Sequence, residues 1–83
     1  MIQTKAHSDK INRLLYIDDL VITAGQDGWL KKWKVDVDEQ IIELETELKL
    51  PEAILDLCMM ESKLAVASGN GVTIVNLSNF KAE

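Results

Sequence analysis

Apolar residues along this chain fall in short runs separated by turn residues. Lys10 to Tyr16 carries Ile11, Leu14 and Leu15 and meets the turn Asp18-Asp19. Leu20 to Ala24 is a second run. It closes at Gly25-Gln26-Asp27-Gly28, and Trp29 to Val35 returns from it. Two β-type runs flanking Asp-Gly predict a hairpin, because Gly supplies the positive φ that tight turns demand. Gly25 and Gly28 are the turn residues of this reading.

Gln40 to Leu50 fits two periods. Ile42, Leu44, Thr46, Leu48 and Leu50 alternate with Glu43, Glu45, Glu47 and Lys49, which predicts a half-buried strand. Ile41, Leu44 and Leu48 also fit helical spacing, and Glu and Leu are good helix formers. The unbroken alternation favours the strand. A helix at 40–50 stays as the alternative, and would make the chain a small α+β binding or regulatory subunit. Pro51 cannot donate to a ladder and closes the segment.

From Ala53 the plan recurs. Ala53 to Met60 is apolar, Glu61-Ser62 turns, and Leu64 to Ala67 is a run. Gly69-Asn70-Gly71 predicts a second hairpin turn, with Gly69 and Gly71 as its turn residues and Val72 to Leu77 as its return. The tail, Ser78 to Glu83, is expected to fray. The order strand, turn, strand, Gly turn, strand thus occurs twice, offset by about 44 residues, a period that belongs to stacked repeats. Cys58, between Leu57 and Met59-Met60, reads as a buried inert thiol.

Residues 6 to 35, AHSDKINRLLYIDDLVITAGQDGWLKKWKV, resemble a WD40 repeat. That family's pattern has a His before the first strand, a Ser or Thr in the second, an Asp in the tight turn and a Trp ending the third. Here these are His7, Thr23, Asp27 and Trp33, with Thr23 four residues before Asp27 and Trp33 six after it. The resemblance implies an all-β fold of antiparallel four-stranded propeller blades forming an incomplete propeller. One blade, with the tetrad, would span 6–50, and a degenerate partial one 51–80. It further implies a hydrogen-bonded relay of the tetrad inside the first blade. The chemistry suits this: imidazole can donate from one ring nitrogen and accept on the other, so it can join a carboxylate to a hydroxyl. Function by resemblance is that of a non-catalytic scaffold for protein–protein interaction.

The chain departs from the family pattern at several places. Ala6 stands for the usual Gly, and Lys34 for the Asp after the Trp. Lys32 occupies a usually apolar position facing a neighbouring blade, where it packs if its stem lies flat and its ammonium escapes to solvent. In the second unit Leu50-Pro51 replaces Gly-His, Asn70 stands near the Asp position, and Val75 or Asn76 replaces the Trp.

Composition narrows the functional classes. With 83 residues the core is small, and one Cys and one His allow neither an internal disulfide nor a four-ligand zinc site. Support is then expected from other polypeptides: further propeller blades of a parent chain, several copies closing a ring, or a partner's incomplete propeller. The net charge of −5, with acids crowded between Asp36 and Glu52, argues against nucleic acid. No apolar run approaches the ~20 residues of a membrane helix, and no secretory signal opens the sequence. A lone thiol without an export signal suggests an intracellular, cytoplasmic setting.

His7 and Asp27 could form an acid–base pair, but no nucleophile completes a triad and Thr23 fits the structural role better. Gly69-Asn70-Gly71 lacks the Lys-Ser/Thr ending and helix of a phosphate loop. Asp36 and Asp38 lack the further ligand and glycine of a calcium loop. No cofactor or metal is therefore expected. Trp29, at the mouth of the hairpin, and Lys32 are the candidate contact residues.

Overall fold

The computed structural model describes residues 4–83 and contains seven strands: β1 (Ile11–Ile17), β2 (Leu20–Gly25), β3 (Trp29–Asp36), β4 (Ile41–Lys49), β5 (Ile54–Met60), β6 (Lys63–Ser68) and β7 (Gly71–Asn76). They form two antiparallel sheets, β1-β2-β3-β4 and β5-β6-β7, each joined only between neighbours in sequence. No helix occurs among the described residues, and so none is long and apolar enough to cross a membrane. The helical alternative over 40–50 is overturned: Ile41–Lys49 is a strand, paired with β3 from Asp36↔Ile41 to Trp29↔Lys49. Glu and Leu propensity yields here because a ladder pairs the backbone groups that face β3 and half-buries Ile42, Thr46 and Leu48.

Both sheets start alike. Ile17↔Leu20 and Met60↔Lys63 close two-residue turns whose first residues, Asp18 and Glu61, have φ of 53° and 58°. The first strand of each sheet carries a register shift at the same place, between Ile11 and Arg13 in one and Ile54 and Asp56 in the other. The Gly-rich hairpins follow. Gly28 (φ 84°) and Gly69 (φ 56°) take the left-handed conformation their turns require. Gly25 and Gly71 do not: they are the last residue of β2 and the first of β7.

The sheets pack through β1 and β2 against β5. Strand alternation sends Ile22 and Ala24 of β2 and Leu30 of β3 into the space between them, where Ile54, Leu57, Leu64, Val66 and Val75 meet them. Leu50 joins this core from the linker that crosses between the sheets.

Two expectations are corrected here. The tail does not fray: Phe80 is 3% exposed in the core, and the tail pairs back on β7 through a Val75–Ala82 bridge. Cys58 is exposed rather than buried. Its run is apolar on both sides, but Leu57 and Met59 face the core, so the residue between them faces out.

Candidate functional site

His7 lies in the segment before β1 and is 7% exposed. Its Nδ1 is 3.0 Å from Asp27 Oδ1 and 3.2 Å from Oδ2, and its Nε2 is 2.7 Å from Thr23 Oγ1. The Trp33 indole donates to the same Thr23 oxygen at 2.9 Å. Asp27 sits in the β2–β3 turn and collects three further donors: Trp29 N (3.0 Å), Ser8 N (3.0 Å) and the Ser8 hydroxyl (3.4 Å).

Donor inventory orients the chain of bonds. An indole N–H only donates and a carboxylate only accepts. Thr23 Oγ1 therefore accepts from Trp33, and His7 Nδ1 carries the hydrogen given to Asp27. In a neutral imidazole Nε2 is then the acceptor, and the Thr23 hydroxyl donates to it. Every polar hydrogen in the relay has one place to go, so four separate stretches of chain become one satisfied network.

Burial pushes the Asp27 carboxyl up, but the donors Trp29 N–H, His7 and Ser8 N–H outweigh it, with the proximity of His7 adding to their effect. The net result is a carboxyl held below the ordinary aspartate value. Gly25 is required here for space rather than for conformation. A Cβ on it would lie 2.6 Å from His7 Nδ1 and 2.7 Å from Asp27 Oδ1.

The structure thus brings His7, Thr23, Asp27 and Trp33 together. Of the two candidate contact residues, Trp29 touches the relay through its backbone N–H on Asp27, and Lys32 lies apart from it. Trp29 is half-buried, with the Lys31 ammonium 5.8 Å from its ring. Lys32 corrects the sequence reading: its ammonium does not escape to solvent. The residue is 6% exposed between the sheets, donating to Leu77 O at 3.0 Å, with Glu45 at 3.8 Å and the Phe80 ring at 5.4 Å. It is an internal clasp and offers no surface to a partner.

Sequence reasoning missed three contributors. Ser8 adds two bonds to Asp27, and its only signal was adjacency to His7. Asn12 links the sheets by donating to Ile54 O at 2.8 Å and to Gln26 Oε1 at 3.0 Å, which no local pattern foretells. Phe80 lay in a segment whose composition reads as a tail.

On the face of the first sheet that points away from the second lies an open concavity of about 400 Å³. Ile11, Leu14, Val21, Trp33, Val35 and Ile42 line it. Tyr16 and Leu14, 68% and 55% exposed, extend the apolar surface along β1.

No family model matches the chain, and no curated protein matches it.

Proposed function

We propose that the chain comprises two WD40-type propeller blades, the second degenerate, and that it works as a non-catalytic protein-interaction module. The observation that carries this is the closed His7–Asp27–Thr23–Trp33 relay. Such a network holds a turn and the two strands it joins in one arrangement, which is what a scaffold needs of its loops. It is ill suited to catalysis. Thr23 is 4% exposed with its hydroxyl engaged on both sides, and both His7 nitrogens are occupied.

The apolar concavity on the first sheet supports the same reading, since an uncovered apolar sheet face marks a surface for another polypeptide. Its occupant would be a further blade of a parent chain, another copy, or a partner protein. The exposed free thiol of Cys58 fits a reducing, intracellular setting.

The test is an affinity experiment on the immobilised chain. Proteins retained from a cell extract are identified, purified and titrated one by one against wild type and Asp27→Ala. The expected result is a defined polypeptide partner whose binding Asp27→Ala weakens and Asp36→Ala leaves alone. Retention of no polypeptide, or binding of a nucleotide or metal in its place, would overturn the reading.

A further inference from the structure

Residues 4–10, ahead of β1, form no strand and run beside the β2–β3 turn. Three bonds hold them there. His7 Nδ1 donates to Asp27, the Ser8 N–H donates to Asp27 Oδ2 at 3.0 Å, and Gln26 N donates to Lys10 O at 2.9 Å. The segment is thus a strap across the turn, and two of its three fastenings share one carboxylate.

The Ser8 hydroxyl is a fourth contact, and the strap does not depend on it. It lies 3.4 Å from Asp27 Oδ2, beyond the ordinary length of such a bond, and the amide of the same residue already serves that oxygen. Ser8 is exposed, and of the exposed Ser and Thr hydroxyls among the described residues only this one reaches the relay. Lifting the segment gives up these bonds and disrupts no ladder, so Ser8 can enter an enzyme's cleft without unfolding a sheet.

We propose that Ser8 is a phosphorylation site, and that a phosphate there releases the strap from the turn. A protein kinase transfers the γ-phosphoryl group of ATP. The Ser8 oxygen bonds to the γ-phosphorus, the bond to the β–γ bridging oxygen breaks, ADP leaves, and the hydroxyl proton passes to the kinase's base. A weak donor becomes a group of about −1.5 to −2 charge that only accepts. It faces a carboxylate that His7 and Trp29 N hold in its ionised form. The cations nearest in sequence, Lys5 and Lys10, belong to the strap itself, so pairing with them does not tie the phosphate to the turn. Once the strap lifts, His7 leaves both Asp27 and Thr23, and the relay is reduced to its Trp33–Thr23 bond.

This deepens the interaction-module reading by giving the relay a control, and it rests on that reading only for what is controlled. The full chain is made with phosphoserine at position 8 by joining synthetic segments at Cys58, its one cysteine. Phosphoserine should lower the folded-to-unfolded ratio by about tenfold and move the Trp33 indole proton, and the loss should shrink in about 1 M salt. Ser8→Ala and Ser8→Gln should stay within about twofold of wild type. In an Asp27→Asn chain the same phosphate should change the ratio by less than about twofold, because the opposing charge is gone. If phosphoserine unfolds the chain outright, Ser8→Glu carries a smaller charge and should read about threefold. Incubation with ATP and a cell extract should place phosphate on Ser8, located by mass spectrometry, and none there in Ser8→Ala.

A phosphoserine chain as stable as the unmodified one, or an equal loss in Asp27→Asn, would overturn the proposal. So would a chain that takes up no phosphate at Ser8. A phosphorylated chain with a loosened relay, and no polypeptide partner for either form, sinks the functional reading alone.

Discussion

Trp33 and Thr23 share a 2.9 Å hydrogen bond although they do not face each other in the ladder: Trp33 pairs with Val21, and Thr23 with Lys31. The indole reaches Thr23 along the diagonal between neighbouring strands, a span long side chains can cover. Thr23 is the junction of the relay, since its one oxygen serves both Trp33 and His7. Thr23→Val keeps the shape but strands the indole N–H and His7 Nε2, and should cost about 2–4 kcal/mol. Trp33→Phe removes one donor and leaves Thr23 with His7, so about 1–3 kcal/mol is expected. Urea denaturation of both variants decides the point; an equal or smaller cost for Thr23→Val would mean that Thr23 is not the junction.

The lowered pKa of Asp27 makes part of the stability pH-dependent. Its folded value lies below the ordinary 3.8, so the unfolded chain takes up the proton first as pH falls. The stabilisation is thus fully present above the unfolded value and is lost as pH drops below it, through the depressed folded value. Comparing urea midpoints of wild type and Asp27→Asn between neutrality and about pH 2 isolates this contribution. The wild-type advantage should hold at neutral pH and shrink below about pH 4. A gap constant across that range would show that Asp27 contributes no charge-dependent stability.

The hairpins were legible in the sequence because they are short-range, whereas the relay was expected from the family resemblance, since His7 lies 20 residues from Asp27 and 16 from Thr23. Two-residue alternation and fixed turn lengths convert the spacing of Thr23, Asp27 and Trp33 into distance. The diagonal offset was not legible, because it depends on the Ala24↔Leu30 register that the turn closes with. Cys58 was misplaced because Ile54–Met60 is apolar at almost every position, and composition does not say which face is covered. Lys32, Phe80 and Asn12 were beyond local reasoning altogether. Each owes its surroundings to how one sheet lies on the other, and contacts separated by about forty residues leave no periodic trace.

Lys32 tests how the two sheets are joined. A buried ammonium forfeits hydration, and one carbonyl, one carboxylate at 3.8 Å and one ring face return only part of it. Most of its contribution should come from the aliphatic stem. Lys32→Met keeps the stem's volume and should change stability by less than about 1 kcal/mol, whereas Lys32→Ala opens a cavity and should cost about 2–4 kcal/mol. Thermal melts of the two variants give the answer; a methionine variant as unstable as the alanine one would assign the stability to the charge.

Gly25 and Gly71 look alike in the sequence, each flanking a turn, yet they should respond oppositely to a methyl group. A Cβ on Gly25 would press within 2.6 Å of His7 Nδ1 and 2.7 Å of Asp27 Oδ1. Neither atom can give way, because His7 is held by Thr23 and Asp27 by Trp29 N and Ser8 N. At Gly71 the nearest atom would be Ser68 O at 3.9 Å, and the backbone is not left-handed. Gly25→Ala should therefore cost about 1–3 kcal/mol through overpacking. Gly71→Ala should be neutral or stabilise by up to about 1 kcal/mol, because alanine restricts the unfolded chain. The Trp33 indole proton reads the cause directly. It should shift in Gly25→Ala, where the relay is pushed apart, and stay in place in Gly71→Ala. Equal stabilities with an unmoved indole resonance would mean that the relay has slack at its tightest point, and that the close approach at Gly25 does not hold it together.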